Sequence, residues 1–277
     1  MRLISADKIK NTVADLCRQA NLVLRSDVLR QLKSAYKKET HPRAKKILGA
    51  IIQNAGLARR KKIAICQDTG LPCVFVEIGQ EVKLAGDLKR AIIQGVEIGY
   101  KTASLRNSII QDPLSRGKPG YQPPIIHIDI VQGNKIKLTL LPKGFGCENK
   151  TRLKMFHPTA PADEIKKFIL ETVKLAGPDA CPPYVVGVGI GGTADYACFL
   201  AKKSLLRKLT TNDQRPTTKI ERDLLKEINR LNIGPMGLGG KTTCLAVNIA
   251  TFPTHIAGLP VAVNISCHAL RSAQKII

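Results

Sequence analysis

The chain has 277 residues, 44% of them hydrophobic, and 44 Lys plus Arg against 21 Asp plus Glu give it a formal net charge of +23. That length and apolar content suffice for a substantial core in one large domain or two small ones, and they exclude a disordered chain. Met1 to Lys10 alternates charged and apolar residues, and no segment has the roughly 18 uncharged apolar residues of a membrane span, so a soluble, cytoplasmic protein with no membrane partner is expected.

Three helices are predicted first. Ile9, Val13, Leu16 and Ala20 form one apolar stripe, with Cys17 in it as packing; Val28, Leu29, Leu32 and Ala35 form a second; Ile47, Ile51 and Ala55 follow Pro42 as a third. Ile63 to Ile65 reads as a short buried strand ending at Cys66, and Cys73 to Ile78 as another, with a tight polar turn between. A long helix is expected over about Leu84 to Leu105. A loop rich in Gly, Pro and Arg then runs from Arg106 to Pro124, and structureless loops of that length are often functional.

Ile125 to Val131 and Lys135 to Leu141 alternate apolar with polar around Gln-Gly-Asn, which predicts a hairpin. After a Gly-rich turn at Gly144 to Lys150, Asp163 to Ala176 is an amphipathic helix stopped by Gly177-Pro178, and Tyr184 to Ile190 is an apolar strand. Helices near Ala194 to Leu206 and Lys219 to Leu231 follow. A Gly-rich loop, Gly234 to Gly240, then precedes strands at Thr243 to Ile249 and Leu259 to Ile265. The fold class is mixed α/β: N-terminal helices, to about residue 60, followed by small mixed sheets flanked by helices in one catalytic domain spanning 1–277. Strand order does not follow from the pattern.

A charge of +23 favours an anionic partner. The basic residues are dispersed, however, as in Lys37-Lys38, Arg43 to Lys46, Arg59 to Lys62, Lys166-Lys167 and Lys202-Lys203. Aromatics are 4% and tryptophan is absent, which supplies few platforms for base stacking. Steering of a small dianion, or docking of an acidic partner subunit, fits better than a nucleic-acid-binding module, and a merely solvated basic face is the plain alternative.

Eight cysteines without an export signal read as reduced thiols or metal ligands. Three of them, Cys66, Cys181 and Cys267, lie in separate turn-like segments beside apolar runs, where rigid backbone can aim a thiolate inward. Four thiolates would close an iron–sulfur cluster, whereas three leave one iron open to substrate. Zinc competes, but the closest pair, Cys66 and Cys73, has six residues between, too many for a zinc ribbon. Gly187-Val-Gly-Ile-Gly-Gly192 matches the dinucleotide fingerprint of an NAD(P)-binding oxidoreductase, yet the chain carries Lys202-Lys203 and Arg207-Lys208 downstream where an acidic residue is needed. Such a turn also serves close packing or offers backbone N–H groups to an anion, and that reading is preferred. Gly239-Gly-Lys-Thr242 resembles a P-loop, but Pro235 stands where glycine is required and a helix precedes it, which argues against nucleoside triphosphate.

Five strings carry a closer resemblance: Cys66-Gln-Asp-Thr-Gly70; Gly144-Phe-Gly-Cys-Glu-Asn-Lys150; Cys181-Pro-Pro-Tyr184 with Gly187 to Asp195; Gly237-Leu-Gly-Gly-Lys-Thr-Thr243; and Pro253-Thr-His255 through Cys267. In this order, over about residues 60 to 270, they resemble the class I fumarate hydratase and L-tartrate dehydratase family, specifically its α subunit or N-terminal half. The resemblance implies a hydro-lyase acting on a small dicarboxylate, fumarate/malate first and tartrate next. It implies a [4Fe–4S] cluster held by Cys66, Cys181 and Cys267, with one iron open. It further implies catalytic roles for Asp68 and His255, substrate binding by Gln67, Arg106 and Gly146, and a β subunit that supplies the base and further cationic contacts. Cys147 departs from the serine or other small residue usual there; ligating the open iron it would block catalysis, but Glu148-Asn-Lys150 beside it fits the family pattern, so it reads as a tolerated small residue.

Overall fold

The computed structural model describes residues 1–209 and 218–277, and these fall into two compact units. The first comprises Met1–Arg25, Ala55–Phe145 and Arg271–Ile277; the second comprises Ser26–Asn54 and Gly146–Leu270. Helices alternate with three small mixed sheets, as the sequence predicts.

In the first unit, strand β1 (Arg2–Ser5) leads into helix α1 (Ala6–Leu22). Helix α2 (Ser26–Lys38) belongs to the second unit, and helix α3 (Pro42–Lys61) has residues in both. The chain continues through β2 (Leu71–Gly79), β3 (Val82–Ala85), α4 (Leu88–Thr102), β4 (Ile125–Val131) and β5 (Ile136–Lys143). Helices α1 and α4 meet closely because α4 presents glycine: a Cβ on Gly95 would lie 2.5 Å from the Lys10 carbonyl oxygen, and one on Gly99 2.7 Å from that of Ala14. The stripe of α1, with Cys17 fully buried, joins Ile92 and Val96 over Val74, Val76, Leu138 and Leu140 to form the core.

Three expectations fail here. Ile63 to Ile65 is not a strand; Ile63 N–H donates to the Ala58 carbonyl and Ile65 N–H to that of Asn21, so helix ends take the groups a ladder would need. The long helix starts only at Leu88, where the Asp87 carboxylate caps Arg90 N–H at 2.9 Å; the Val82–Ala85 residues before it form β3, paired in parallel with β1. The hairpin is overturned: β4 and β5 are not neighbours, because β2 lies between them, parallel to β4 and antiparallel to β5. The Gln-Gly-Asn turn instead crosses the end of β2, with Gly79 N–H donating to the Lys135 carbonyl and Glu81 N–H to that of Gly133.

In the second unit the order is α5 (Phe145–Glu148, its first residue in the other unit), β6 (Arg152–Phe156), α6 (Ala162–Ala176), β7 (Tyr184–Gly192), α7 (Ala194–Ser204), α8 (Thr218–Arg230), β8 (Cys244–Thr254) and β9 (Leu259–Ser266). The sheet order is β6-β9-β7-β8, and only β7–β8 is parallel. Period-two alternation sorts its faces. Tyr184, Val186, Val188, Val261, Val263 and Ile265 pack with Phe168 and Val173 of α6 and Leu224 and Ile228 of α8. The intervening residues Gly187, Gly189 and Ala262 meet α7. Strand β10 (Ala273–Ile276) returns to the first unit and pairs antiparallel with β5.

Candidate functional site

In the first unit the segment Cys66–Gly70 is irregular, yet all three backbone carbonyls of its second half are held. The Tyr100 hydroxyl donates to the carbonyls of Thr69 (2.8 Å) and Gly70 (3.2 Å). Burial pushes the Tyr100 phenol well above its ordinary range, so it stays a donor. Arg271, 3% exposed, donates to the Asp68 carbonyl at 2.7 Å and to the Asn21 side chain at 3.3 Å. Asn21 in turn accepts Ile65 N–H through its own carbonyl. Asp68 turns its carboxylate back on the chain, accepting from Gly70 N–H and Phe145 N–H, both at 2.9 Å. Gly70 has φ 73°, and a Cβ there would sit 2.7 Å from the Pro142 carbonyl carbon, so no other residue fits.

Thr69 ties in Arg106 across a long stretch of chain. Arg106 N–H donates to the Thr69 hydroxyl at 3.1 Å, and that hydroxyl lies 3.3 Å from the Arg106 carbonyl. The Arg106 and Gln67 side chains are exposed, and among the described residues no carboxylate pairs with the Arg106 guanidinium. Cys66 is a half-buried free thiol. The sequence signal missed Arg271: one more arginine in a basic chain, whose value lies in burial that only the fold reveals.

The second unit gathers parts of three of the quoted strings, Gly146–Lys150, Cys181–Tyr184 and Gly237–Thr243, together with Cys267 at one end of its sheet. Cys181 precedes β7 and Cys267 follows β9, and the Val185–Ser266 pairing of those antiparallel strands sets the two cysteines at the same end of the sheet. His268 N–H donates to the Cys181 carbonyl at 3.2 Å, joining the two loops. Cys181 itself is left-handed, φ 53° and ψ 67°, a conformation that costs a non-glycine residue roughly 1–2 kcal/mol and concentrates at functional sites. The Gly-rich loop packs on it: Met236 N–H donates to the Pro182 carbonyl, and a Cβ on Gly237 would stand 2.3 Å from Pro178 Cβ. Exposed Gly146 lies over the Asp179 carbonyl, and Lys150 pairs with Asp179 at 2.9 Å. Cys147 is 5% exposed and its thiol donates to the Ala180 carbonyl at 3.3 Å, a core contact.

His255 is not brought to that end. It follows β8 at the turn into β9, with its Nδ1 accepting from Ala257 N–H at 3.2 Å. The eight residues of β9 separate it from Cys267, about 26 Å at ~3.3 Å per residue.

The donor chemistry of the half-buried thiols fits a thiolate-bound metal group. Burial pushes Cys244 up to about 12 and Cys17 higher still, which keeps both protonated, whereas Cys66, Cys181 and Cys267 are all partly open to solvent. Among the described residues no three His, Cys, Asp or Glu side chains stand together as a metal-binding group.

The glycine fingerprint has a packing explanation. A Cβ on Gly187 would meet the Ala201 carbonyl oxygen at 2.1 Å, and one on Gly189 that of Ala197 at 2.1 Å. The turn lets α7 lie flat on β7.

The chain is thus mixed α/β, with two half-buried cysteines at one end of a sheet and a clamped Cys-Gln-Asp-Thr-Gly turn, and its family match makes it a hydro-lyase. Residues 10–275 match the model of the fumarate hydratase (Fumerase) family, and the chain belongs to that family. It is 42% identical to the "Putative L(+)-tartrate dehydratase subunit alpha" of Methanocaldococcus jannaschii, over 97% of each chain. It is 30% identical to the L(+)-tartrate dehydratase subunit alpha of Escherichia coli O157:H7 and to that of Shigella sonnei, covering 99% of this chain and 92% of each relative. Among the described residues no helix is long and apolar enough to cross a membrane.

Proposed function

We propose that the chain is the α subunit of a cytoplasmic iron–sulfur hydro-lyase that adds or removes water at a small 2-hydroxydicarboxylate. The family match and the α-subunit names of the relatives support it. Those names move tartrate ahead of fumarate as the first substrate to test. The observation that carries the reading is the His268 clip between the Cys181 and Cys267 loops, which joins the segments of two of the three expected ligands at one end of the sheet.

Cys66, Cys181 and Cys267 would hold the [4Fe–4S] cluster. When bound, such a group supplies a Lewis acid that draws charge from the substrate carboxylate and hydroxyl. The chain's own residues do the rest of the positioning. The exposed Arg106 guanidinium offers a two-pronged grip on a carboxylate, its backbone fixed by Thr69. The Gln67 amide orients the substrate beside it, and Gly146 offers a backbone N–H. Asp68 keeps the turn rigid through its two accepted N–H groups. His255 serves proton transfer or orientation in the complete enzyme, and a β subunit supplies the base that takes the carbon-bound proton.

Anaerobic co-expression with the β-like partner tests this, with iron and sulfide analysis and a panel of L-tartrate, fumarate and related diacids. Iron-loaded protein that dehydrates L-tartrate only with the partner present is expected. Full turnover by the chain alone, or by metal-free protein, refutes it.

A further inference from the structure

The second unit contains a cleft of about 230 Å³ between the C-terminal end of α2, the segment after α7, the first turn of α8 and the start of β8. Its floor is neutral and fully engaged. Arg207 donates to the Glu221 carboxylate at 2.8 Å, the Asn248 amide oxygen at 2.7 Å and the Ile249 carbonyl at 3.1 Å, while Glu221 also accepts Ile249 N–H. Charge in the cleft therefore comes from its other cations, Lys38, Lys208 and Arg222, all exposed. Among the described residues no carboxylate pairs with any of the three.

A second observation points to a ligand. Thr218 lines the same cleft, is 9% exposed, and its hydroxyl is buried without a hydrogen-bond partner. Buried hydroxyls are nearly always paired, so one left open beside three uncommitted cations is a donor awaiting an acceptor. Leu225 and Leu245 supply an apolar wall.

We propose that this cleft binds a small phosphate monoester, its oxygens taken by Lys38, Lys208, Arg222 and the Thr218 hydroxyl and its short carbon body lying on Leu225 and Leu245. Two ammonium groups, one guanidinium fork and a hydroxyl drawn from several elements suit the three acceptor oxygens and near-double charge of one phosphoryl group. A dicarboxylate spreads its charge over two separate planar ends, whereas the cations here line one small cleft. The volume is below that of a nucleotide pocket and matches a body of a few carbons. The site gives part of the +23 charge a specific address, and it does not depend on the hydro-lyase reading.

Calorimetric titration of the full-length protein with glycerol 3-phosphate and with inorganic phosphate, at fixed ionic strength, tests it. One saturable site per chain is expected, filled by glycerol 3-phosphate more tightly than by succinate. The double variant Lys208→Gln/Arg222→Gln weakens binding at least about tenfold. Lys83→Gln/Lys174→Gln, an equal charge change elsewhere, leaves it unaltered. Thr218→Val weakens binding severalfold without lowering the melting temperature of the free protein, since the orphaned hydroxyl is gone. Absence of saturable binding by both phosphates, equal losses in the two double variants, or succinate binding as tightly each overturns the proposal.

Discussion

Arg271 reaches the Asp68 backbone carbonyl at 2.7 Å, so a side chain near the C-terminus holds the Cys66–Gly70 turn in place from below. Its other contact, Asn21, carries the carbonyl that accepts Ile65 N–H, so one guanidinium supports both sides of the turn. Arg271→Ala orphans two buried acceptors and is expected to destabilise the protein by about 2–4 kcal/mol in urea denaturation. Arg271→Lys keeps the charge without the two-pronged reach and recovers less than half of that loss. Wild-type stability in the alanine variant would remove the clamp from the account.

Gly187 and Gly189 separate the packing explanation from a dinucleotide one. With a Cβ 2.1 Å from a helix carbonyl in each case, Gly187→Ala and Gly189→Ala are expected to cost about 3 kcal/mol or to abolish folding. The wild-type protein is expected to show no NADH fluorescence enhancement. Tolerated alanines, or saturable NADH binding, would restore the oxidoreductase reading.

Both variants bear on how much the chain disclosed. The stripes of α1 and α2, the Pro42 start of α3 and the Gly177 stop of α6 were legible because each depends on neighbours within a turn or two. Pairing is a long-range property. Nothing near Gly133 announces that β2, arriving from more than fifty residues upstream, will insert between β4 and β5. The short edge strands β6 and β10 have patterns too brief to register. Of the site, the cysteines, Gln67 and Asp68 stand in the quoted strings and Arg106 opens the Gly/Pro/Arg-rich loop, whereas the buried supports Tyr100 and Arg271 carry no local signature. His255 shows the converse: its string is clear, but its distance from Cys267 emerges only from the sheet.

Glu39 is another support of this kind, now in the second unit. At 2% exposed, its carboxylate accepts Thr40 N–H and His41 N–H at 2.9 Å and Lys241 N–H at 2.8 Å, pinning the Gly-rich loop to the corner after α2. Gly240, φ 111°, admits that approach, since a Cβ would stand 2.9 Å from Glu39 Oε2. Glu39→Ala is expected to lose about 2–3 kcal/mol and to open Gly234–Lys241 to limited proteolysis. Unchanged cleavage would show that the loop holds itself.

Thiol chemistry tests the expected ligand set without any turnover assay. Cys244, pushed up to about 12, is thiolate in only about one molecule in ten thousand at pH 8, and Cys17 is lower still. Cys147 is enclosed at 5% exposure with its S–H donating to the Ala180 carbonyl. Burial also raises Cys198, though it remains half-open. Iodoacetamide at pH 8 is therefore expected to label metal-free protein at Cys66, Cys181 and Cys267 first, at Cys198 more slowly, and at the buried Cys17, Cys73, Cys147 and Cys244 only after unfolding. Because a raised thiol gains reactivity as pH climbs towards its own range, the Cys198 rate should rise steadily from pH 7 to 9. After anaerobic reconstitution with iron and sulfide, peptide mapping should find the first three protected and Cys198 still labelled. Protection that omits any of the three, or extends to Cys147, would require a different set of ligands.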